Sequence, residues 1–357
     1  MATRFLCLWP PHEALMVDVR QFDRLSSLAL RRRWLIGLTI DARWRSVRAA
    51  LIGAEGAGLS SRVEVFAQTQ LALSPRVRQL GHALRQRRAP AASAAIVAAQ
   101  LAESMALLLE HWTPEVAPIW ERVLALSVDG PRLWHRAGGL TGCINLCDTA
   151  RLAELTGQNV IDAFADRDLA QGGGGRPLTP LPFWMLLHDP MKTRLVVCRR
   201  QRIELIWLPA SRDAVGASRV LYVELSRGEG SATEAAELVA GCLRERLPQT
   251  PAVAELVLCD QGSTPALAEA LARRLPSIPV VDVAALGVPS AALRPAAAAL
   301  LGLLHLDQVP ANASAITGAR VPRVLGRLTP GSPQNWQRLV RELAAAKPSV
   351  IALRSAV

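Results

Sequence analysis

The chain has 357 residues, half of them hydrophobic, which is enough for a substantial core and more than one domain. Its formal net charge is +11, yet the cations are almost all arginine, with Lys192 and Lys347 the only lysines. Arginine scattered along a chain, rather than clustered, argues against a nucleic-acid footprint.

The opening MATRFLCLWPPHE has too short an apolar run for a signal peptide and is broken by Pro10-Pro11. The most apolar stretch, Ala91 to Leu109, is interrupted by Gln100, Glu103 and Ser104, so it reads as a core helix and not a membrane span. A soluble cytoplasmic protein is expected, with its six cysteines reduced and buried and no metal site.

Residues 1–33 read as an extension ending in Arg31-Arg32-Arg33, a solvated cap on the first strand. Trp34 to Thr39, Val47 to Gly53 and Val63 to Ala67 read as strands with tight antiparallel connections. Pro75 to Pro90 is a basic connector. A helix from Ala92 to Trp112 should bury Ile96, Leu101, Met105, Leu108 and Leu109 as one stripe. A strand, Leu124 to Val128, leads to Asp129-Gly130-Pro131-Arg132-Leu133-Trp134-His135, and Cys143 to Leu146 is strand-like. Asp148 caps a helix that ends at Gly157.

A short apolar run, Val160-Ile161, then passes into Asp162, Asp166, Arg167 and Asp168, followed by Gly172 to Gly175 and Arg176-Pro177. Four glycines reach positive φ freely and let backbone N–H groups approach a ligand. Beyond lie a helix (Leu181 to Leu187) and a hairpin of Arg194 to Cys198 with Arg202 to Leu208. A capping box at Ser231 and Glu234 opens a helix to Leu247, and Ala254 to Cys259 is a strand. A helix opening after Asp260, an apolar run from Ile278 to Val281, a helix from Pro295 to Leu306 and a last helix from Asn335 to Ala346 complete the pattern.

ARLAELTG followed by AFADRDLAQGGGGRPLTP resembles the anhydro-N-acetylmuramic acid kinase family, in which an ALxAExTG helix precedes a sugar-lining DFRxxDxAxGGQGAPLVP segment. Ala163 and Ala165 stand for the family's Asp and Arg, Gly174 for its Gln and Arg176 for its Ala. The resemblance runs from residue 34 to 331 and returns at Thr317-Gly318-Ala319 and Val324 to Gly331, which match TGA and xxLGxxxPG. It implies an α/β, two-lobed actin-like ATPase fold, each lobe a ribonuclease-H-like mixed sheet with helices. The lobes would span 34–163 and 164–331, the second lacking the family's insertion, with a helical tail over 332–357.

The resemblance also implies ATP- and Mg-dependent hydrolytic phosphorylation of anhydro-N-acetylmuramic acid in cell-wall recycling. Asp166, Arg167, Asp168, Gly172, Gly173, Gly175 and His135 would meet the sugar, while Thr39, Asp41 and Gly262 hold degenerate nucleotide positions. The family's phosphate turn GLMSGTSxDGxDAAL is GLTIDARWRSVRAAL here, and its second turn, NIGGxxN, is Arg199-Arg200-Gln201-Arg202-Ile203-Glu204. Its base motif FDxGPGN survives at most as Asp213 to Gly216, with Asp166 and Asp168 as substitute carboxylates. A phosphate loop needs small residues so that several N–H groups converge, so catalysis is expected to be impaired. The alternatives are a divergent active kinase, a non-catalytic sugar- or partner-binding protein, and a binder of anionic polymers; the partners expected are an amino-sugar small molecule and a second copy in a homodimer.

Overall fold

The computed structural model describes residues 32–199, 202–211, 219–224, 231–245, 252–259 and 264–345. Most of the expected N-terminal extension, Asp213, Gly262, the tip of the second hairpin turn (residues 200–201) and the end of the tail lie outside the described residues.

Two mixed sheets carry the same plan. The first is ordered β3-β2-β1-β4-β7-β13, from β1 (Arg33–Ile40), β2 (Ser46–Glu55), β3 (Arg62–Ala72), β4 (Val123–Asp129), β7 (Val160–Asp162) and β13 (Arg327–Thr329). The second is ordered β10-β9-β8-β11-β12, from β8 (Arg194–Arg199), β9 (Arg202–Leu208), β10 (Arg219–Glu224), β11 (Glu255–Leu258) and β12 (Val280–Asp282). In each sheet the first three strands are an antiparallel meander, and the next two join the first strand in parallel. That repeated 3-2-1-4-5 order makes each lobe ribonuclease-H-like and the whole a two-lobed actin-like α/β fold. A separate ribbon of β5 (Arg132–Ala137) and β6 (Leu140–Asn145) projects after β4.

Alternation along the first sheet divides its residues between two layers. Trp34, Ile36, Leu38, Val47 and Ala49 pack with α1 (Pro75–Arg85) and α2 (Ser93–Trp120). Leu35, Ala50, Ile52 and Ala125 share a core with α5 (Pro180–Leu187), α8 (Leu293–Leu306) and second-sheet residues such as Val196, Ile206 and Val257. The two lobes thus meet across one continuous apolar layer. Helices α3 (Thr149–Thr156) and α4 (Phe164–Ala170) flank β7, while α6 (Ala232–Glu245) and α7 (Thr264–Arg274) cover the other face of the second sheet. A turn of helix, α9 (Ser314–Thr317), precedes β13, and α10 (Pro333–Ala345) closes the described chain.

Several expectations need correction. Helix α2 runs on to Trp120 through Pro114 and Pro118, because burial of Trp112, Val116 and Ile119 outweighs the missing N–H groups. Ile96 is 51% exposed, off the stripe formed by Leu101, Met105, Leu108 and Leu109. Arg32 is no solvated cap: it pairs with Glu55 at 2.8 Å and Glu64 at 2.7 Å, and Arg33 pairs with Asp307. The basic connector contains α1, capped by Ser74. By length and composition α2 could cross a membrane, but one face is buried in the first lobe. Helix α10 is tied in through Asn335, whose Nδ2 donates to the Gly157 carbonyl at 2.6 Å.

Candidate functional site

The glycine run is wrapped around a buried carboxylate. Asp168, on α4, accepts at Oδ1 from Asn312 Nδ2 (2.6 Å) and Thr317 Oγ1 (2.7 Å), and at Oδ2 from the Gly175 N–H (2.7 Å). A Cβ on Gly173 would lie 2.2 Å from Asp168 Oδ2, so only glycine lets the chain pass there. The remaining amides are also used inside the protein: Gly172 N–H donates to Leu169 O, Gly173 to Asp168 O and Gly174 to Thr317 O. The expectation that these amides reach out to a ligand is corrected: all four donate to acceptors inside the protein. Asp168 holds the glycine run against the Thr317-Gly318-Ala319 segment, and with its oxygens occupied it is unsuited to act as a base.

A polar cluster joins the end of β4, the ribbon and α4. Asp129, at the end of β4, accepts from Arg132 Nη2 at 2.6 Å, and Arg132 Nε donates to Asn145 Oδ1 at 3.0 Å. Asn145 Nδ2 lies 3.4 Å from Asp166 Oδ1, with Cys143 Sγ 3.8 Å from the same oxygen. Asp166 is exposed and has oxygen lone pairs to spare. Burial first, then the Asp166 charge, pushes the Cys143 thiol up. Burial would lower the Arg132 guanidinium, but Asp129 outweighs it and holds it above its ordinary value.

Close to this cluster, Arg294 in the first turn of α8 pairs with Glu204 Oε2 at 3.1 Å and also senses the Asp129 charge. Tyr222 lies 3.5 Å from Glu204 Oε1, and burial, then that carboxylate, pushes its phenol up to about 12. Arg176 stacks over the Trp134 ring at 4.9 Å, above Gly175. Arg167 is exposed and lies 3.4 Å from the Val324 carbonyl. His135 alternates with Trp134 on the ribbon, so it points to the opposite face from the glycine turn. Its neighbour Trp134 is the residue that packs there, and the sequence offered no spacing signal for it. Asp162 is buried; burial raises its carboxyl, partly offset by Arg327, which donates at 3.0 and 3.3 Å.

Of the nucleotide positions, Thr39 is buried at the end of β1, in register with Asp129. The turn from β1 to β2 is closed by Asp41. Its Oδ1 accepts from the N–H groups of Arg43 (2.8 Å) and Arg45 (3.0 Å), and its Oδ2 from Ser46 N–H and Oγ, both at 3.1 Å. A carboxylate of the chain itself fills the anion cradle that a phosphate would need. This turn, a saturated carboxylate followed by two arginines, does not fit Mg-bound triphosphate.

The family model for anhydro-N-acetylmuramic acid kinase matches residues 41–199 and 200–331. The chain belongs to the anhydro-N-acetylmuramic acid kinase family. Relatives bearing that name include one from Bordetella avium (strain 197N), 27% identical over 293 aligned residues, covering 59% of this chain and 74% of the relative. One from Burkholderia thailandensis is 30% identical over 290, covering 58% and 75%. One from Pseudomonas paraeruginosa is 25% identical over 353, covering 94% of the relative but only 66% of this chain, so that relative carries residues opposite gaps here. Among solved structures, the ROK hexokinase from Thermus thermophilus aligns at a TM-score of 0.37 and 14% identity, over 76% of this chain and 99% of that one. An inorganic polyphosphate/ATP-glucomannokinase from Arthrobacter sp. strain KM aligns at 0.34 and 14%, over 74% and 98%.

Proposed function

We propose that this family member keeps an amino-sugar site and has lost most of its kinase activity. The sugar of the family, anhydro-N-acetylmuramic acid, is the ligand expected in the cleft beside Asp166, Arg132, Asn145, Arg176 and Trp134. Alternating carboxylate, guanidinium and amide groups suit a polyhydroxylated acid, and an aromatic ring beside them suits its apolar faces. The observation that carries the loss of catalysis is Asp41, which takes four donors of the turn that in the family holds ATP phosphates. Removing one preorganised stabilising group typically costs about 10² to 10³ in rate, and the substitution of arginines for small residues compounds that cost. A cytoplasmic, soluble protein acting in peptidoglycan recycling fits this reading.

A divergent active kinase is the second reading, favoured by one observation: Asp166 is exposed at the cleft with only weak neighbours, free to orient a hydroxyl. Calorimetric titration with Mg-ATP and with anhydro-N-acetylmuramic acid separates the two. Sugar heat without ATP-dependent product is expected. Saturable Mg-ATP binding with ATP-dependent product would establish the kinase instead, and Asp166→Asn would then abolish turnover.

A further inference from the structure

The arginines are not uniformly scattered once the chain is folded. Between Glu64 and Glu103 the sequence has no acidic residue, while it carries Arg76, Arg78, His82, Arg85, Arg87 and Arg88. Helix α1 brings part of this stretch against the β1–β2 turn, and the two enclose a groove of about 510 Å³. Arg43, Arg45, Arg78, His82, Gln86 and Arg88 line it, and no carboxylate among the described residues does.

The groove is built by buried contacts. Trp44, at φ +57° in the turn, is 3% exposed and lies so close over α1 that a Cβ on Gly81 would meet its ring at 2.2 Å. Arg85 Nη1 donates to the Ala42 carbonyl at 3.1 Å as a second tie. Anchoring Trp44 leaves its neighbours Arg43 and Arg45 at the groove. At the far end of α1, Arg88 N–H donates to the Ala83 carbonyl at 2.8 Å after Arg87 turns at φ +57°, which folds Arg88 back beside the helix. The Nε of Arg78 is buried with no hydrogen-bond partner. The negative end of the α1 dipole accounts for His82 and Arg85. It does not account for Arg78, in the first turn of the helix, or for the two turn arginines. Asp41, in the same turn, is already saturated by its own loop.

Guanidinium groups hold phosphoryl oxygens in bidentate geometry, and several converging cations favour an anion with more than one phosphoryl group. We infer that this groove binds a compact oligophosphate, either free or as the phosphate tail of a nucleotide, through Arg45, Arg78 and Arg88. It is separate from the cleft, because Trp44 packs in the α1–α2 layer and α8 covers the opposite face of the sheet.

The test uses the full chain and inorganic triphosphate, inorganic phosphate and ATP as probes in equilibrium dialysis at fixed ionic strength. Saturable triphosphate binding is expected, at least about tenfold tighter than single phosphate, as several charge-assisted contacts should give. Arg45 and Arg88 are exposed, so Arg45→Gln and Arg88→Gln should leave the thermal unfolding midpoint unchanged while weakening triphosphate binding about tenfold when combined. The cleft variant Arg294→Gln should leave that binding alone. Competition by ATP assigns the nucleotide tail as a source, whereas triphosphate binding that ATP does not displace assigns the free oligophosphate. Three outcomes overturn the inference: no saturable triphosphate binding, binding unchanged in the Arg45→Gln/Arg88→Gln protein, or binding lost in Arg294→Gln.

Discussion

Gly37 on β1 and Pro295 on α8 touch so closely that a Cβ on the glycine would lie 1.7 Å from the proline carbonyl oxygen. The same atom would lie 2.6 Å from Ala299 N, so both obstacles are backbone and neither can swing aside. Gly37→Ala must therefore push α8 off the first sheet, and with it the apolar layer that joins the lobes. Destabilisation of about 3 kcal/mol, or failure to fold, is expected. Urea unfolding reads it, and a midpoint within error of the parent would contradict this packing.

Asp168 and Asp166 are two residues apart yet should respond oppositely. Asp168→Ala strands the Asn312, Thr317 and Gly175 donors in a buried site and should cost about 3 kcal/mol or more. Asp166→Asn, on the exposed side of α4, should stay within about 0.5 kcal/mol of the parent. Sugar affinity should move the other way, weakening in Asp166→Asn through lost contact with ligand. Equal stability losses in the two variants would remove Asp168 from its structural role.

His305 supplies a pH dependence with a definite sign. Its Nδ1 donates to the Leu325 carbonyl at 2.7 Å, and burial, with a further push from Arg167, lowers its pKa below the ordinary 6.5. The folded protein binds this proton less readily than the unfolded chain does. The stability it contributes is therefore present above pH 6.5 and lost as pH falls through the lowered folded value. The stability difference between the parent and His305→Gln should decline on acidification below about pH 6.5. A difference that stays flat from about pH 7.5 to 5 would show that His305 titrates alike in both states.

At the opposite end of the second sheet, Arg194 and Glu255 face each other in parallel register and join through a 2.7 Å bond from Arg194 Nε. Both are nearly enclosed, at 9% and 8% side-chain exposure. Glu255→Ala would leave the guanidinium buried without its main partner, at a cost of about 3 to 5 kcal/mol. The double variant Arg194→Met/Glu255→Leu should recover much of that loss, since it removes both charges; chemical denaturation of the three proteins measures the recovery.

Local rules found most of the frame. The Asp148 cap is present, with Arg151 N–H 3.0 Å from its carboxylate, and Gly157 ends α3 at φ +66°. The Ser231 cap accepts from Glu234 N–H at 3.0 Å. These signals are written within a few residues of one another, so pattern reading reaches them. Strand β10 has no such signal: Arg219 to Glu224 mixes charges with apolar residues, and its pairing with β9 identifies it as a strand. At the site, the motif resemblance drew attention to His135 and the glycines. Trp134, Asn312 and the turn-filling role of Asp41 depend on contacts between segments far apart, or on a loop's own closure, and only the folded chain displays them.

The route of the chain also matters while the protein is being made. Strand β13 pairs with β7 through Arg327 to Thr329, and α8 covers the face of the first sheet that holds Leu35, Ala50 and Ala125. During synthesis, strands β1 to β4 emerge early, but their apolar cover arrives only with Leu293 to Leu306 and their last edge partner later still. The nascent first lobe thus holds an open hydrophobic sheet while the entire second sheet is translated. Long-range closure of this kind is slow and leaves intermediates prone to aggregation. Truncation before residue 327 should therefore yield insoluble protein rather than an isolated first lobe.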